Sequence, residues 1–108
     1  MAFQAFDLVL EAIRHLVRPL ATISQHDPDL ARQLRRAAAS VALNLQEGRR
    51  RQGRDRLHLW RVAAGSAEEV VAALRVAEAF GYVAPDAIEP VLERCDRVLA
   101  ISWALTHR

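Results

Sequence analysis

Residues 33–61 read QLRRAAASVALNLQEGRRRQGRDRLHLWR, and the way this stretch changes character along its length decides the fold. Its first half is built almost wholly of small residues at helical spacing and ends in Glu47-Gly48; three consecutive arginines follow. The charge is one-sided. From Arg32 to Arg61 nine arginines stand against Glu47 and Asp55, a net +7, while residues 1–31 sum to −2 and residues 62–108 to −3. A near-neutral total therefore hides a basic segment on a mildly acidic body, which suggests a polyanion or an acidic protein surface as partner.

Working outward, 108 residues fit one domain. The hydrophobic fraction is 52% but the aromatic fraction only 6%, so the core must come from Ala, Val, Leu and Ile, which suits closely packed helices. A single cysteine excludes an internal disulfide and fits a reducing cytoplasm. The opening MAFQAFDLVLEAIRHLV carries Asp7 and Glu11 without a basic leader, which argues against a signal peptide. No apolar run approaches the roughly 18–20 residues that span a bilayer.

Four segments show helical periodicity and none alternates like a strand. The first runs from about Ala2 to Ser24, with Phe3, Phe6, Leu10, Ile13, Val17, Leu20 and Ser24 in register. Pro19 should either kink this helix or stop it near Val17, because its ring removes a donor and crowds the preceding turn. Asp27 as N-cap and Pro28 at the first position start the second helix. Its expected buried face is Leu30, Leu34, Ala37, Ala38, Val41 and Leu45, and Gly48 should end it in a left-handed turn.

After a short polar loop, Asp55 is the expected cap of a third helix reaching Phe80, with Gly81 as its stop. Two apolar stripes mark this helix: Leu57, Trp60, Ala64, Ala67, Val71 and Leu74, then Leu59, Ala63, Ser66, Val70, Ala73, Ala77 and Phe80. Two faces imply either the centre of a bundle or an additional subunit contact. Pro85-Asp86 opens the fourth helix, Pro90 makes its first turn irregular, and Ile88, Val91, Leu92, Cys95, Val98, Leu99, Ser102 and Leu105 form its apolar side. Short connections between long helices predict an all-α, antiparallel up-down-up-down four-helix bundle, with the arginine cluster at one end of a rod.

Arg49, Arg50, Arg51, Arg54 and Arg56 are the candidate phosphate contacts, with Arg36 and Arg61 extending them. Arg49 to Arg51 follow a helix C-terminus, where the dipole welcomes cations; Arg54 and Arg56 open the next helix, where it does not, so a bound anion would explain them. Trp60, one turn inside, reads as core, which favours backbone contact over base readout. Of Arg35 and Arg36 one should face solvent and the other a groove or oligomer seam. Asn44 needs a hydrogen bond inside its apolar helix and should tie helices together or satisfy the loop backbone. Glu47 should pair with a loop arginine, and Gly65-Ser66 should mark a tight helix crossing. Cys95 reads as a buried, inert thiol. His15, His26, His58 and His107 lack any metal-ligand spacing, and no phosphate loop, nucleophile elbow or triad is visible, so no enzyme and no cofactor is expected.

LRRAAASVALNLQEG (Leu34 to Gly48), the arginine-rich loop, RVAAGSAEE (Arg61 to Glu69) and AFGYV (Ala79 to Val83) together resemble the four-helix-bundle proteins encoded in intervening sequences of bacterial large-subunit ribosomal RNA. That family includes the accessory variability proteins of diversity-generating retroelements. The resemblance implies a ring-like homopentamer with a basic surface, and in the retroelement branch binding to nucleic acid and a reverse transcriptase. Arg35, Arg36, Asn44, Glu47, Gly48, Gly65, Ser66 and Glu69 occupy motif positions. Leu45-Gln46 replaces the more usual Ile-Ala, Pro19 breaks a helix expected to be continuous, and Gly53 stands near where Ser or Thr is common. Two functions follow as expectations: a homo-oligomeric bundle binding RNA or DNA, or a scaffold whose arginines dock an acidic protein.

Overall fold

A computed structural model describes residues 3–107. The described residues form four helices and no strand: α1 (Gln4–His26), α2 (Pro28–Arg49), α3 (Gly53–Ala79) and α4 (Pro85–Thr106). Each packs on its neighbour in sequence, and α1 also packs on α4, within an outline of 42 × 22 × 21 Å. No helix among the described residues is long and apolar enough to cross a membrane.

Local chemistry accounts for most helix ends. The Asp27 carboxylate accepts the Leu30 N–H at 3.0 Å, and Pro28 fills the first position of α2, as the sequence predicts. At the end of α3, Gly81 adopts φ +80°. There the Gly81 N–H reaches the Glu78 carbonyl at 2.9 Å and the Tyr82 N–H reaches the Ala77 carbonyl at 2.9 Å. This is the paired closure that a left-handed residue permits.

Other expectations are corrected. The predicted start at Ala2 lies outside the described residues. Pro19 does not stop α1, which continues to His26; the acceptor it deprives belongs to His15, an exposed residue that water can reach. Pro90 likewise lies within a continuous α4. Gly48 is not a left-handed stop, since positive φ among the glycines is confined to Gly53 and Gly81. Asp55 does not cap α3: Gln52 is its N-cap, with no side-chain bond, and Gly53 at φ +60° turns the chain into the helix.

The core is made largely of small residues. On α1 its seam is Ala5, Leu8, Val9, Ala12, Leu16, Pro19 and Ile23, beside rather than along the predicted stripe. Phe3, Phe6, Ile13 and Leu20 are only partly buried against that seam, and Val17 is 61% exposed. On α2 the seam holds Leu34, Ala37, Ala38, Val41 and Leu45 as expected, with Ala31, Ala42 and Gly48 added and Leu30 only half-buried. On α3, one seam draws Trp60, Ala67 and Leu74 from one predicted stripe and Ala63, Val70, Ala73 and Ala77 from the other. Phe80 is left 66% exposed. Of the predicted side of α4, Ile88, Val91, Leu92, Cys95, Val98 and Ser102 are buried, and Leu99 and Leu105 are partly buried.

Candidate nucleic-acid interface

The turn from α2 to α3 meets the start of α1 and the end of α4. Phe3 lies 5.7 Å from Trp60 between ring centroids, and Arg61 donates to the Thr106 carbonyl at 3.5 Å. The arginines of this end fall into two groups, because backbone carbonyls compete with any ligand for them.

Arg56 belongs to the fold. Its Nε donates to the Gly48 carbonyl at 3.1 Å and its Nη2 to the Arg49 carbonyl at 2.9 Å, while the guanidinium lies 5.3 Å from the centre of the Trp60 ring. It gives the Arg49 carbonyl a donor and adds a second one to the Gly48 carbonyl, which already accepts the Arg51 N–H at 3.1 Å, and it places a cation where the α2 dipole is negative. The dipole argument for an anion at Arg56 therefore fails; α2 itself takes that role. Arg51 pairs with Glu47 at 2.8 Å, the pairing expected of Glu47. Arg49 sits 5.6 Å from the centre of the Phe3 ring.

Arg50 and Arg54 are exposed on either side of the loop, and among the described residues their side chains make no hydrogen bond or ion pair. Arg36 is elsewhere: thirteen residues before Arg49, it is about 20 Å away along the helix. There it lines a polar groove with Gln33, Ser40, Ser66 and Glu69. Arg35 borders a different, apolar groove of Ile13, Leu16, Val17, Leu20, Ala38 and Ala39, so both members of the pair are exposed and each lines a groove.

Sequence reasoning missed one residue at this end. Trp103 is 64% exposed and stacks on His107 at 4.4 Å with ring planes 13° apart. The signal was available, because Trp103 is absent from the apolar register that correctly marks α4.

The profile of the family described as 23S rRNA-intervening sequence proteins matches residues 3–103. The chain belongs to that family. Among solved structures it is similar to a protein of unknown function from the S23 ribosomal protein family of Bacteroides thetaiotaomicron VPI-5482. The TM-score is 0.83 at 17% identity, covering 96% of this chain and 99% of that one, a likeness that speaks to the fold. None of the curated proteins matches the sequence.

Several motif residues of this intervening-sequence protein lie at the α2–α3 contact, where Arg36, Ser66 and Glu69 line one groove and Gly48 meets Trp60. Asn44 donates through Nδ2 to the Ser40 carbonyl at 2.9 Å and to Ser40 Oγ at 3.0 Å. Ser40 Oγ lies 2.8 Å from Ser66 Oγ across the helices. Asn44 therefore finds its partners within α2, and it is Ser40 that makes the bond to α3. Glu69 lines the same groove as Ser66. Gly65 does not mark a tight crossing within the chain: a Cβ there would meet nothing within 4 Å. The close approach belongs instead to Gly48, against Trp60.

Proposed function

We propose that this chain is a non-enzymatic, cytoplasmic bundle of up-down-up-down course that assembles as a ring-like homopentamer. In this reading it binds RNA or DNA by the phosphate backbone at its arginine end. The observation that carries the proposal is the pair Arg50 and Arg54, exposed on either side of the α2–α3 loop and without an ion pair among the described residues. Arg49, Arg51 and Arg61 lie around them; Arg56 holds the loop in shape. Guanidinium groups without carboxylate partners suit bidentate contact with phosphate.

The apolar groove bordered by Arg35, with Val17 at 61% exposure, supports the oligomer, since exposed apolar patches mark association surfaces. Five copies would multiply a weak phosphate contact by avidity. Light scattering should report five chains of 12.1 kDa, about 60 kDa in all; a monomer mass at micromolar concentration overturns the pentamer. Binding to a structured RNA should weaken steeply with salt, and Arg50→Ala with Arg54→Ala should flatten that dependence. An unchanged slope overturns the site. A protein partner such as a reverse transcriptase, retained after nuclease treatment while RNA and DNA fail to bind, would favour docking of an acidic protein instead.

A further inference from the structure

The arginine end carries an aromatic surface that phosphate contact does not use. Trp103 is the exposed member of the chain's two tryptophans. Trp60 is buried, its indole N–H donated to the Leu45 carbonyl at 3.2 Å. The exposed ring is held in place. His107 stacks along one face, and His107 Nδ1 donates to the Trp103 carbonyl at 2.8 Å. The Thr106 hydroxyl donates to the Ser102 carbonyl at 2.8 Å, which fixes the turn that carries both rings.

The adjacent helix supplies charge. Arg54, His58 and Arg61 recur at i, i+4 and i+7 on α3, and all three are exposed, so they form one row along a single face. The bond from Arg61 Nη2 to Thr106 sets this row beside the turn bearing Trp103. Only one of the five guanidinium N–H groups is used there. One turn further along the row is Gly65, open to solvent, and Glu68 beyond it brings the opposite charge.

We propose that this surface takes an unpaired base of a single strand. The base stacks on Trp103 while Arg54 and Arg61 meet the flanking phosphates. The inference rests on the nucleic-acid reading above and narrows it from phosphate backbone in general to single-stranded or looped RNA or DNA. Bases in a duplex are already stacked on their neighbours and present only edges; a splayed base presents its face. The two flanking arginines, Arg54 and Arg61, suit a polyanion better than an apolar protein segment. Base–aromatic stacking changes affinity roughly ten- to a hundredfold per base.

The intact protein is titrated with oligouridylate and oligothymidylate of about a dozen nucleotides, and with a blunt duplex of matched length at the same salt. The single strands should bind at least about tenfold tighter and quench the solvent-exposed tryptophan emission, leaving the buried Trp60 component unchanged. Trp103→Ala should abolish that preference yet keep duplex binding and its salt dependence, and Trp103→Phe should retain part of it. Equal affinities with unmoved emission, or a preference that survives Trp103→Ala, overturn the stacking site and leave the arginine contact standing. An emission shift on dilution without nucleic acid makes a second copy the occupant and overturns it too. Failure of every ligand to bind brings down the nucleic-acid reading as well.

Discussion

A Cβ on Gly48 would stand 2.6 Å from Cδ1 and 2.7 Å from Nε1 of Trp60, so the indole fills the space of a side chain that α2 lacks. That vacancy lets the Cδ1–Nε1 edge of Trp60 approach the last turn of α2, donate to the Leu45 carbonyl and accept Arg56 over its ring. The loop between the helices is therefore built from the glycine outward. Replacing Gly48 by Ala must displace either the ring or the helix. Overpacking costs about 1–3 kcal/mol and the lost indole bond about 1 more, so Gly48→Ala should lower stability by roughly 2–4 kcal/mol. A lower urea midpoint at unchanged m-value is the expected signature; a midpoint within error of the parent shows that the ring can move aside freely.

The hydroxyls of Ser40 and Ser66, 2.8 Å apart, predict a coupling across α2 and α3. Ser66→Ala leaves Ser40 with Asn44 as a partner, and Ser40→Ala leaves Ser66 without one. A double-mutant cycle should return an interaction of about 0.5–1.5 kcal/mol. Additive single effects would mean that solvent replaces the bond at no cost. The groove containing both residues also receives Arg36 and Glu69, so the cycle further tests whether this polar strip contributes to stability at all.

Periodicity gave the four helices because each carries an apolar register of many turns, and Asp27-Pro28, Gly81 and Pro85 punctuate them with local chemistry alone. It failed where the deciding residues are small. The α1 register followed the regular spacing of Phe6, Leu10, Ile13 and Val17, whereas the seam uses Ala5, Ala12 and Pro19 with Leu8, Val9, Leu16 and Ile23. In α1 the small seam residues stand beside aromatic and aliphatic ones that fit a competing register, whereas in α2 the run of alanines has no such rival. The site was half legible for a similar reason. Clustering of arginines is written in the chain, but which guanidinium faces a carbonyl depends on the turn at Gly53 and the room at Gly48. Those are three-dimensional facts.

Burial pushes the Cys95 thiol up from its ordinary 9.0 to about 11, and the neighbouring Asp96 charge adds to the effect. A raised pKa means the native state holds its proton more tightly than the unfolded chain. Stability is therefore insensitive to this group below pH 9.0, falls as pH rises toward about 11, and levels off above it. The total contribution is about 3 kcal/mol at most. Urea melts across this window should show that decline in the parent and a smaller one in Cys95→Ala, which lacks the ionisable group. A thiol reagent that labels the folded protein at neutral pH as fast as the unfolded chain would contradict the assignment of a buried, protonated sulfur.

The two groups of arginines should separate experimentally, since one kind closes a helix and the other faces water. Arg56→Ala takes the side-chain donor from the Arg49 carbonyl, leaves the Gly48 carbonyl with the Arg51 N–H alone and removes the cation over Trp60, so it should cost about 1–3 kcal/mol in stability. Its effect on nucleic-acid affinity should be indirect, following the loop it loosens. Arg50→Ala and Arg54→Ala remove exposed side chains without an ion pair among the described residues, and stability should stay within about 0.5 kcal/mol of the parent. Each, however, should lower the slope of log affinity against log salt on duplex nucleic acid by about 0.9. Arg51→Ala is the intermediate case. Its pair with Glu47 is exposed and contributes about 0–1 kcal/mol, and a phosphate can compete for it. Melting curves and salt titrations on the same four variants decide the matter. Should Arg56→Ala alter the slope while leaving the melt untouched, the guanidinium would be a ligand contact and the helix-closing role assigned to it would be wrong.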